Sequence, residues 1–395
     1  MKILHYIPSL DLARGGPITA VFGLSDALAA RGHDVSIATC EAGEPPVGWG
    51  QFSKRPDIVH LGGSPVGVKF FSSSQRSAIA PLIASHDVLH VHGVWDLSNV
   101  QAGKLARKCG RPHIVSVRGM LDDWSMAQGA LKKRLVLAAM VRKHLTTAKV
   151  VHLTAQAEFD QARKWFRGGT GMVIPNLLDL NPFRDPPGPN EARAKFPQLN
   201  DPGVRNVLFL SRVHHKKSPD VLIRAAALLR DRGVTINVIF AGKGDDDYVR
   251  SLGALAKEVG LDNRVWFVGH VGGTLKTSLY QACDVMALPT HQENFGFVFP
   301  ESLAAGTPVI TTKGVDIWPE LQSSGAARIV DGTPDAFAQA IDELTKDRAA
   351  LQAMRPIAHE FAMRTYAENV VLDRFEAMYR YAVGVGDAPS GLARA

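Results

Sequence analysis

Short apolar, β-branched runs alternate with longer amphipathic segments along this chain, and that rhythm restricts the possible folds more than any other feature. The runs fall at residues 3–7, 35–39, 88–92, 114–117, 150–153 and 172–174, and again at 207–210, 236–241, 265–268, 285–288 and 309–311. Continuous apolar runs are the mark of strands buried on both faces, as in a parallel sheet covered by helices. Between them the pattern predicts helices over 18–30, 219–232, 247–259, 275–283 and 334–345. The chain has 395 residues, which suits two domains. The fold class expected is α/β: two Rossmann-like, doubly wound parallel-sheet domains. They divide at a Pro/Gly/Asn-rich stretch over 181–203, giving domains 1–180 and 181–365. Residues 366–381 read as a helix, and those after Val385 as a frayed tail. In such folds ligands sit beyond the carboxyl ends of the strands, so the site is expected in a cleft between the two domains.

Composition narrows the class. Hydrophobic residues make up 46% and charged residues 21%, which excludes a disordered chain. The net charge of +7 is unevenly placed. Residues 1–180 hold 21 Lys+Arg against 13 Asp+Glu, and residues 181–395 hold 24 against 25. No zinc-finger, helix-turn-helix or RNA-binding signature accompanies the basic half, so nucleic acid is not an expected partner. Cys40, Cys109 and Cys283 are too scattered for a disulfide framework or a metal site. With no secretory-type apolar stretch at the start, a cytoplasmic location is expected, with the inner face of the membrane as a variant.

Three segments carry chemistry. Gly15-Gly16-Pro17 follows the first run and opens a helix, where bare backbone N–H groups can meet an anion. A plain tight turn is the other reading. The segment is not GxGxxG and no acidic residue closes the next strand, which counts against a nicotinamide enzyme. Ser211-Arg212-Val213-His214-His215-Lys216-Lys217 leaves the run at 207–210, placing an Arg and a Lys where phosphate oxygens could be held. A solvated basic loop is the alternative. Glu293-Asn294-Phe295-Gly296-Phe297-Val298-Phe299-Pro300-Glu301 sets one carboxylate in a loop and another in the first turns of a helix. Such a pair can meet sugar and ribose hydroxyls, or be an exposed loop Glu beside a Glu favoured by the helix dipole. His92 and Arg118 stand at two further strand ends. Asp245-Asp246-Asp247 is the one acidic run and reads as a helix start, so no metal site is expected.

Taken in order, these segments resemble glycosyltransferase family 4, retaining enzymes of the two-domain GT-B fold. Glu293…Glu301 is similar to the family's Glu-x7-Glu element, and Ser211-Arg212…Lys217-Ser218 to its Gly-Arg-x4-Lys-Gly segment with serines for both glycines. Gly15-Gly16, Ala241-Gly242-Lys243-Gly244-Asp245, Phe267-Val268-Gly269-His270-Val271 and Ile174-Pro175-Asn176 match in the same order. The resemblance implies transfer of a hexosyl group from a UDP- or GDP-linked sugar, a co-substrate, with no cofactor and no metal. It implies that Arg212 and Lys217 hold the diphosphate, Glu301 the ribose and Glu293 the sugar. Asn294, Phe295, Gly296 and Phe297 would line sugar and phosphate, while Gly242 belongs to the donor-binding loops. His270 and Val271 would face the base, and Gly15 and Gly16 the phosphates. Where many members carry a sugar-contacting His, this chain has Arg118, in an Arg-Gly-Met-Leu-x-x-Trp segment similar to that of a bacterial subset; His92 is a second candidate there. The resemblance also places the C-terminal helix, about 366–385, against the first domain. It points to a saccharide or lipid-linked saccharide acceptor in surface polysaccharide assembly. A nucleotide-sugar epimerase of the same architecture and a catalytically silent nucleotide-sugar-binding subunit are the alternatives.

One segment of the basic half stands apart. Residues 130–144 form a basic amphipathic pattern with Leu131, Leu135, Ala138 and Val141 along one face. A buried helix with solvated basic ends is one reading, and peripheral contact with anionic lipid the other.

Overall fold

The computed structural model describes residues 1–46, 48–50, 54–63 and 70–395. The chain forms two compact units, Met1–Leu178 with Glu368–Ala395, and Asp179–Ala367. The strands are β1 (Lys2–Tyr6), β2 (Asp34–Thr39), β3 (Asp57–His60), β4 (Val88–His92), β5 (His113–Ser116), β6 (Val150–Leu153), β7 (Thr170–Val173), β8 (Arg205–Leu210), β9 (Ile236–Ala241), β10 (Val265–Gly269), β11 (Val285–Leu288), β12 (Val309–Thr311), β13 (Ala327–Ile329) and β14 (Leu392–Arg394). The first unit's sheet runs β14-β7-β6-β5-β4-β1-β2-β3 and the second's β10-β9-β8-β11-β12-β13. All described pairs are parallel except β14 on β7. Each sheet reverses its winding once, between β1 and β4 and between β8 and β11. Those reversals open a crevice at the strand ends, and they fix where ligands can sit.

Both faces of the first sheet are covered, which is why its strands lack polar alternation. Leu4, Leu89, Val115 and Val151 pack into one apolar cluster. Ile3, Val88, Ile114 and Val150, one residue earlier on each strand, pack into another. That second cluster is completed by Val371, Phe375 and Met378 from the helix Glu368–Ala382, and this burial holds the C-terminal segment to the first unit.

Toward the carboxyl ends of the strands the same face turns polar, and the hydrogen bonds fix each proton. His152 Nε2 lies 2.8 Å from the Ile174 carbonyl, which can only accept, so Nε2 carries the proton and Nδ1 is an acceptor. Ser116 therefore donates to His152 Nδ1 over 2.7 Å and must accept from His90 Nε2, also at 2.7 Å. His90 Nδ1 is then left to accept from the Tyr379 hydroxyl at 2.7 Å. The chain of bonds runs from the C-terminal helix across β4, β5 and β6, and it needs both histidines neutral. Burial supplies that condition: it lowers His152 to about 3, with the Arg118 charge adding to it, and holds His90 well below the usual histidine range.

Several expectations change. The residues after Val385 are not a loose tail, because Leu392–Arg394 pairs with β7 and Ala395 exchanges backbone hydrogen bonds with Gly168 and Gly169, closing an open sheet edge. Tyr366 ends the helix Arg348–Tyr366, and the next helix starts only at Glu368 because Ala367 is extended, with ψ 141°. Strands β3 and β13 had no apolar run long enough to announce them. Residues 130–146 are helical in three pieces, Ala130–Val136, a π turn at Leu137–Val141, and Arg142–Thr146. The extra residue in the π turn rotates the apolar face. Leu137, Val141 and Leu145 are buried, whereas Leu131 is 75% and Leu135 63% exposed. Leu131, Leu135 and Ala138 are exposed and Val141 is buried, so the proposed face is not one stripe and the reading of it as a buried helix face does not hold.

Two outcomes follow from the buried network. Tyr379→Phe removes the only proton offered to His90 Nδ1 and should lower stability by about 1–3 kcal/mol in urea unfolding; an unchanged midpoint would contradict the bonding pattern. Stability should also fall with acid. Burial lowers His113 to about 4 and His152 to about 3, against about 6.5 in the unfolded chain. The unfolded state then binds more protons below pH 6.5, so the contribution is complete above 6.5 and lost as pH falls toward these lowered values. Each such histidine adds a slope of up to ~1.4 kcal/mol per pH unit. Urea unfolding at pH 7.5, 6.5 and 5.5 should show a steady decline, and a flat profile between 6.5 and 5.5 would contradict this.

Candidate active site

The site candidates divide between the two units. Gly15, Gly16, His92 and Arg118 belong to the first; Arg212, Lys217, Gly242, His270, Val271, Glu293, Asn294, Phe295, Gly296, Phe297 and Glu301 belong to the second. Among the described residues two non-glycines have positive φ, Arg118 at 54° and Ser218 at 48°. Both stand in the segments that sequence reading singled out. Such backbone is costly without glycine and persists where the surroundings fix it, often at functional loops. Ser218 also shows why the related segment carries glycine at that place.

In the first unit, the turn after β5 is anchored by Glu158. This fully buried carboxylate accepts from Gly119 N, Thr154 N and Thr154 Oγ1. Arg118 is 8% exposed, with its guanidinium donating to Asn176 Oδ1 at 2.7 Å and to His92 Nδ1 at 3.2 Å. An Arg can only donate, so neutral His92 holds its proton on Nε2 and gives it to His5 Nδ1 over 2.9 Å. His5 is left with a protonated Nε2 that is buried and has no partner among the described residues. Burial first, then neighbouring positive charges, lowers His5 to about 3 and His92 well below the usual range. His5, His90 and His92 bring ring nitrogens within 4.8 Å of one another, a grouping that sequence spacing did not reveal. Five of those six nitrogens are committed to hydrogen bonds and Arg118 adds a positive charge, so the donor set fits a hydrogen-bonded core rather than a cation. Gly15 has φ 93° and precedes the helix Gly16–Ala30; a Cβ at Gly16 would meet nothing within 4 Å, so its backbone is open.

In the second unit, the winding reversal places the ends of β8 and β11 side by side. Past β8 the chain keeps parallel contact with the segment after β9, through a bridge of Val213 to Gly244. The approach is so close that a Cβ at Gly242 would lie 1.9 Å from the Ser211 carbonyl oxygen, and one at Gly244 2.6 Å from that of Val213. Glycine is required at both positions, and this close pairing leads Arg212 out to solvent. Arg212 is exposed and makes no hydrogen bond or ion pair within the described chain. Lys217 is 5% exposed; its ammonium pairs with Glu293 and lies 3.3 Å from Thr290 Oγ1.

Glu293 sits on a short extension of the sheet. Its N–H donates to Gly314 O at 2.8 Å, its carbonyl accepts from Asp316 N at 2.9 Å, and Asn294 Nδ2 donates to Asp316 Oδ2 at 3.0 Å. Gly296, φ 65°, lets the loop double back; a Cβ there would press 2.6 Å from the Phe299 ring and 2.9 Å from Glu293 Cγ. Phe295 is buried against Phe297 and Tyr366. Glu301 lies in the first turn of the helix Val298–Ala304, with Oε1 accepting from Lys276 Nζ at 2.8 Å and Oε2 from the Tyr280 hydroxyl at 3.1 Å. Burial, then the Glu301 charge, keeps that hydroxyl protonated far above the ordinary range. His270 is exposed and Val271 buried at the end of β10. Thr290, Lys276, Tyr280 and Asp316 were not picked out from sequence. Lys276 and Tyr280 are four apart on the helix Gly273–Ala282, a spacing that gives a shared face but does not reveal what it faces. Asp245 does start a helix, accepting from Tyr248 N at 3.1 Å. A cavity of about 890 Å³ lies elsewhere, among Asn206, Asp284, Gly306, Arg348 and Arg355 at the amino ends of the strands. That edge of a doubly wound sheet is not where its ligands bind.

Known proteins are similar to this chain in sequence and fold. A family model described as "Glycosyl transferases group 1" matches residues 190–361, and one described as "Glycosyl transferase 4-like domain" matches residues 15–176. Relatives named D-inositol 3-phosphate glycosyltransferase are 32% identical in Nocardia farcinica, over 53% of this chain and 48% of that one, and 36% identical in Mycolicibacterium gilvum, over 66% and 58%. The chain thus spans about half the length of these two, while the Xylanimonas cellulosilytica relative is 28% identical over 86% of each. Among solved structures, Anabaena Alr3699/HepE in complex with UDP superposes with a TM-score of 0.78 at 18% identity, covering 96% of this chain and 100% of that one. Two family models account for nearly all of the sequence and two parallel sheets of one winding account for the fold, so the chain belongs to glycosyltransferase family 4 and has the GT-B fold.

Proposed function

We propose that the protein moves a hexosyl group from a UDP-linked sugar to an acceptor hydroxyl, with retention at the anomeric carbon and without a metal ion. The observation that carries the reading is that in the second unit two carboxylates eight residues apart each hold an ammonium, Glu293 that of Lys217 and Glu301 that of Lys276, while Arg212 at the end of β8 stands exposed. HepE, of the same fold, has been crystallised with UDP-glucose, which favours uridine over guanosine. Arg212 and Lys217 meet the leaving diphosphate and stabilise the charge that develops on it. Glu301 accepts from ribose hydroxyls and Glu293 from sugar hydroxyls, with Asn294 to Phe297 lining sugar and phosphate. Gly242 keeps Arg212 in place, and His270-Val271 face the base. Gly16 offers its backbone N–H to phosphate, while Gly15, whose own N–H is held by the Leu12 carbonyl at 3.0 Å, shapes the turn that presents it. Arg118 acts through His92, whose tautomer it sets.

In this reading the bond from the anomeric carbon to the phosphate oxygen breaks as the bond to the acceptor oxygen forms on the same face. The acceptor proton passes to the leaving phosphate oxygen. Glu293 orients the sugar and forms no bond to it. The first unit is the acceptor-binding half, and a saccharide or lipid-linked saccharide in surface polysaccharide assembly is the acceptor class. Leu131 and Leu135, one helical turn apart and exposed beside Lys132 and Arg134, would rest on an anionic membrane surface from the cytoplasmic side. No helix among the described residues is long and apolar enough to cross a membrane.

The nucleotide is tested by thermal shift with UDP, GDP and ADP, where binding to the native state alone raises the melting temperature. UDP should give the largest shift, and no shift with any of them would overturn the reading. Arg212→Ala should lower kcat/KM by about 100-fold, the scale of one lost transition-state contact, with turnover unaffected by EDTA. A glycosyl adduct trapped on Glu293 would refute same-face transfer. In co-sedimentation at low salt the protein should prefer anionic over neutral vesicles, and Leu131→Asp with Leu135→Asp should abolish that preference; equal binding to both vesicle types would remove the membrane from the proposal.

A further inference from the structure

The carboxylate assigned to the ribose does not stand alone. Glu301 is 12% exposed at its side chain, and the helix Gly273–Ala282 supplies both of its partners from one face. Lys276 takes Oε1 and Tyr280 takes Oε2. The Tyr280 hydroxyl has one proton, shared between Glu301 Oε2 at 3.1 Å and the Val298 carbonyl at 3.2 Å, so it is a weak and divided donor. Lys276 is the firm partner, at 2.8 Å and with a charge.

A carboxylate has about four acceptor positions and an ammonium has three donor hydrogens. After the contacts above, Glu301 keeps two acceptor positions and Lys276 keeps two donors. Lys276 is 27% exposed at its side chain, so those donors open toward solvent. A vicinal diol is the ligand chemistry that fits such a pair. Each hydroxyl of the diol donates to the carboxylate, and its oxygen can accept from the ammonium.

Building on the nucleotide-sugar reading above, we propose that Lys276 is a specificity-determining residue: with Glu301 it forms a diol clamp that selects a ribonucleotide donor over its 2′-deoxy counterpart. Lys276 acts both by holding Glu301 in one orientation and by donating to the ribose oxygens. The neighbouring side chains do not offer this. Lys217 is committed to Glu293 and Thr290, and Arg212 stands at the end of β8.

The test compares binding of UDP and 2′-deoxy-UDP by titration calorimetry to wild type, Lys276→Met, Lys276→Arg, Glu301→Gln and the double variant. The wild type should prefer UDP by at least ~10-fold, the scale of a lost charged hydrogen bond. Lys276→Met should weaken UDP by about that factor, leave 2′-deoxy-UDP within about twofold, and so erase the preference. Lys276→Arg should restore part of it, and the double variant should be no worse than Glu301→Gln alone. If Lys276→Met weakens both nucleotides equally, or neither, the clamp is refuted while the nucleotide-sugar reading stands. If the wild type binds UDP without preference over the deoxy form, the clamp is likewise refuted. If the wild type binds no nucleotide at all, the functional reading falls and the clamp with it. Thermal melts of each variant separate a folding defect from a binding one, and Lys276→Arg, which keeps charge and length, carries the test if Lys276→Met does not fold.

Discussion

A lysine that is 5% exposed needs an opposite charge within reach of its ammonium, and the second unit is arranged around that need. Lys217 leaves its turn through Ser218, whose φ of 48° ends the loop and starts the next helix. Its charge meets Glu293, which must therefore be held still. The sheet does this by extending one bridge beyond β11, with Glu293 bonded to Gly314 and Asp316 through its backbone. Gly296 then lets the chain turn into the helix that carries Glu301. One neutralisation requirement thus fixes the loop, the glycine and the position of the second carboxylate.

Much of this was legible because glycine and charge leave marks in sequence. Gly242 and Gly244 mark a backbone approach that admits no Cβ, and Gly296 marks a left-handed turn. The buried sheet announced itself through apolar runs, since strands covered on both faces cannot alternate. What stayed hidden depends on contacts between segments distant in sequence. Lys276 looks like any helical lysine until Glu301 is placed 25 residues away beside it. The histidines of β1, β4 and β6 read as scattered, because only strand order puts them in one row. Strand β14 has too few apolar residues to be seen, and gains its identity from the open edge of β7. The π turn at Leu137–Val141 has no periodic signature, so the face predicted from a regular helix was rotated away.

The two units solve the same topology with different interiors. In the second, charge is held in pairs, with Glu293 beside the buried Lys217 and Glu301 beside Lys276, while Arg212 at the end of β8 stands in solvent. In the first, the strand ends hold neutral histidines linked by directed protons, capped by Tyr379 from the returning helix. Burial, with the Arg118 charge adding to it, keeps those rings neutral. A neutral, hydrogen-bonded floor suits a unit that must hold its shape while its outer surface carries the excess of basic residues.

The excess of basic residues is unevenly placed. The second half is nearly balanced, and its charges act as a few placed groups whose geometry the glycines and ion pairs enforce. The first half carries the surplus, and Lys132, Arg134, Arg142 and Lys143 lie exposed along a helix whose first turns also expose Leu131 and Leu135. Apolar side chains flanked by basic ones are poorly accommodated by water alone, but they suit an anionic, partly apolar boundary. Leu137 follows Leu135 by two residues and so faces the opposite side of the helix; with Val141 and Leu145 it is buried and anchors the segment, while the preceding leucines face outward.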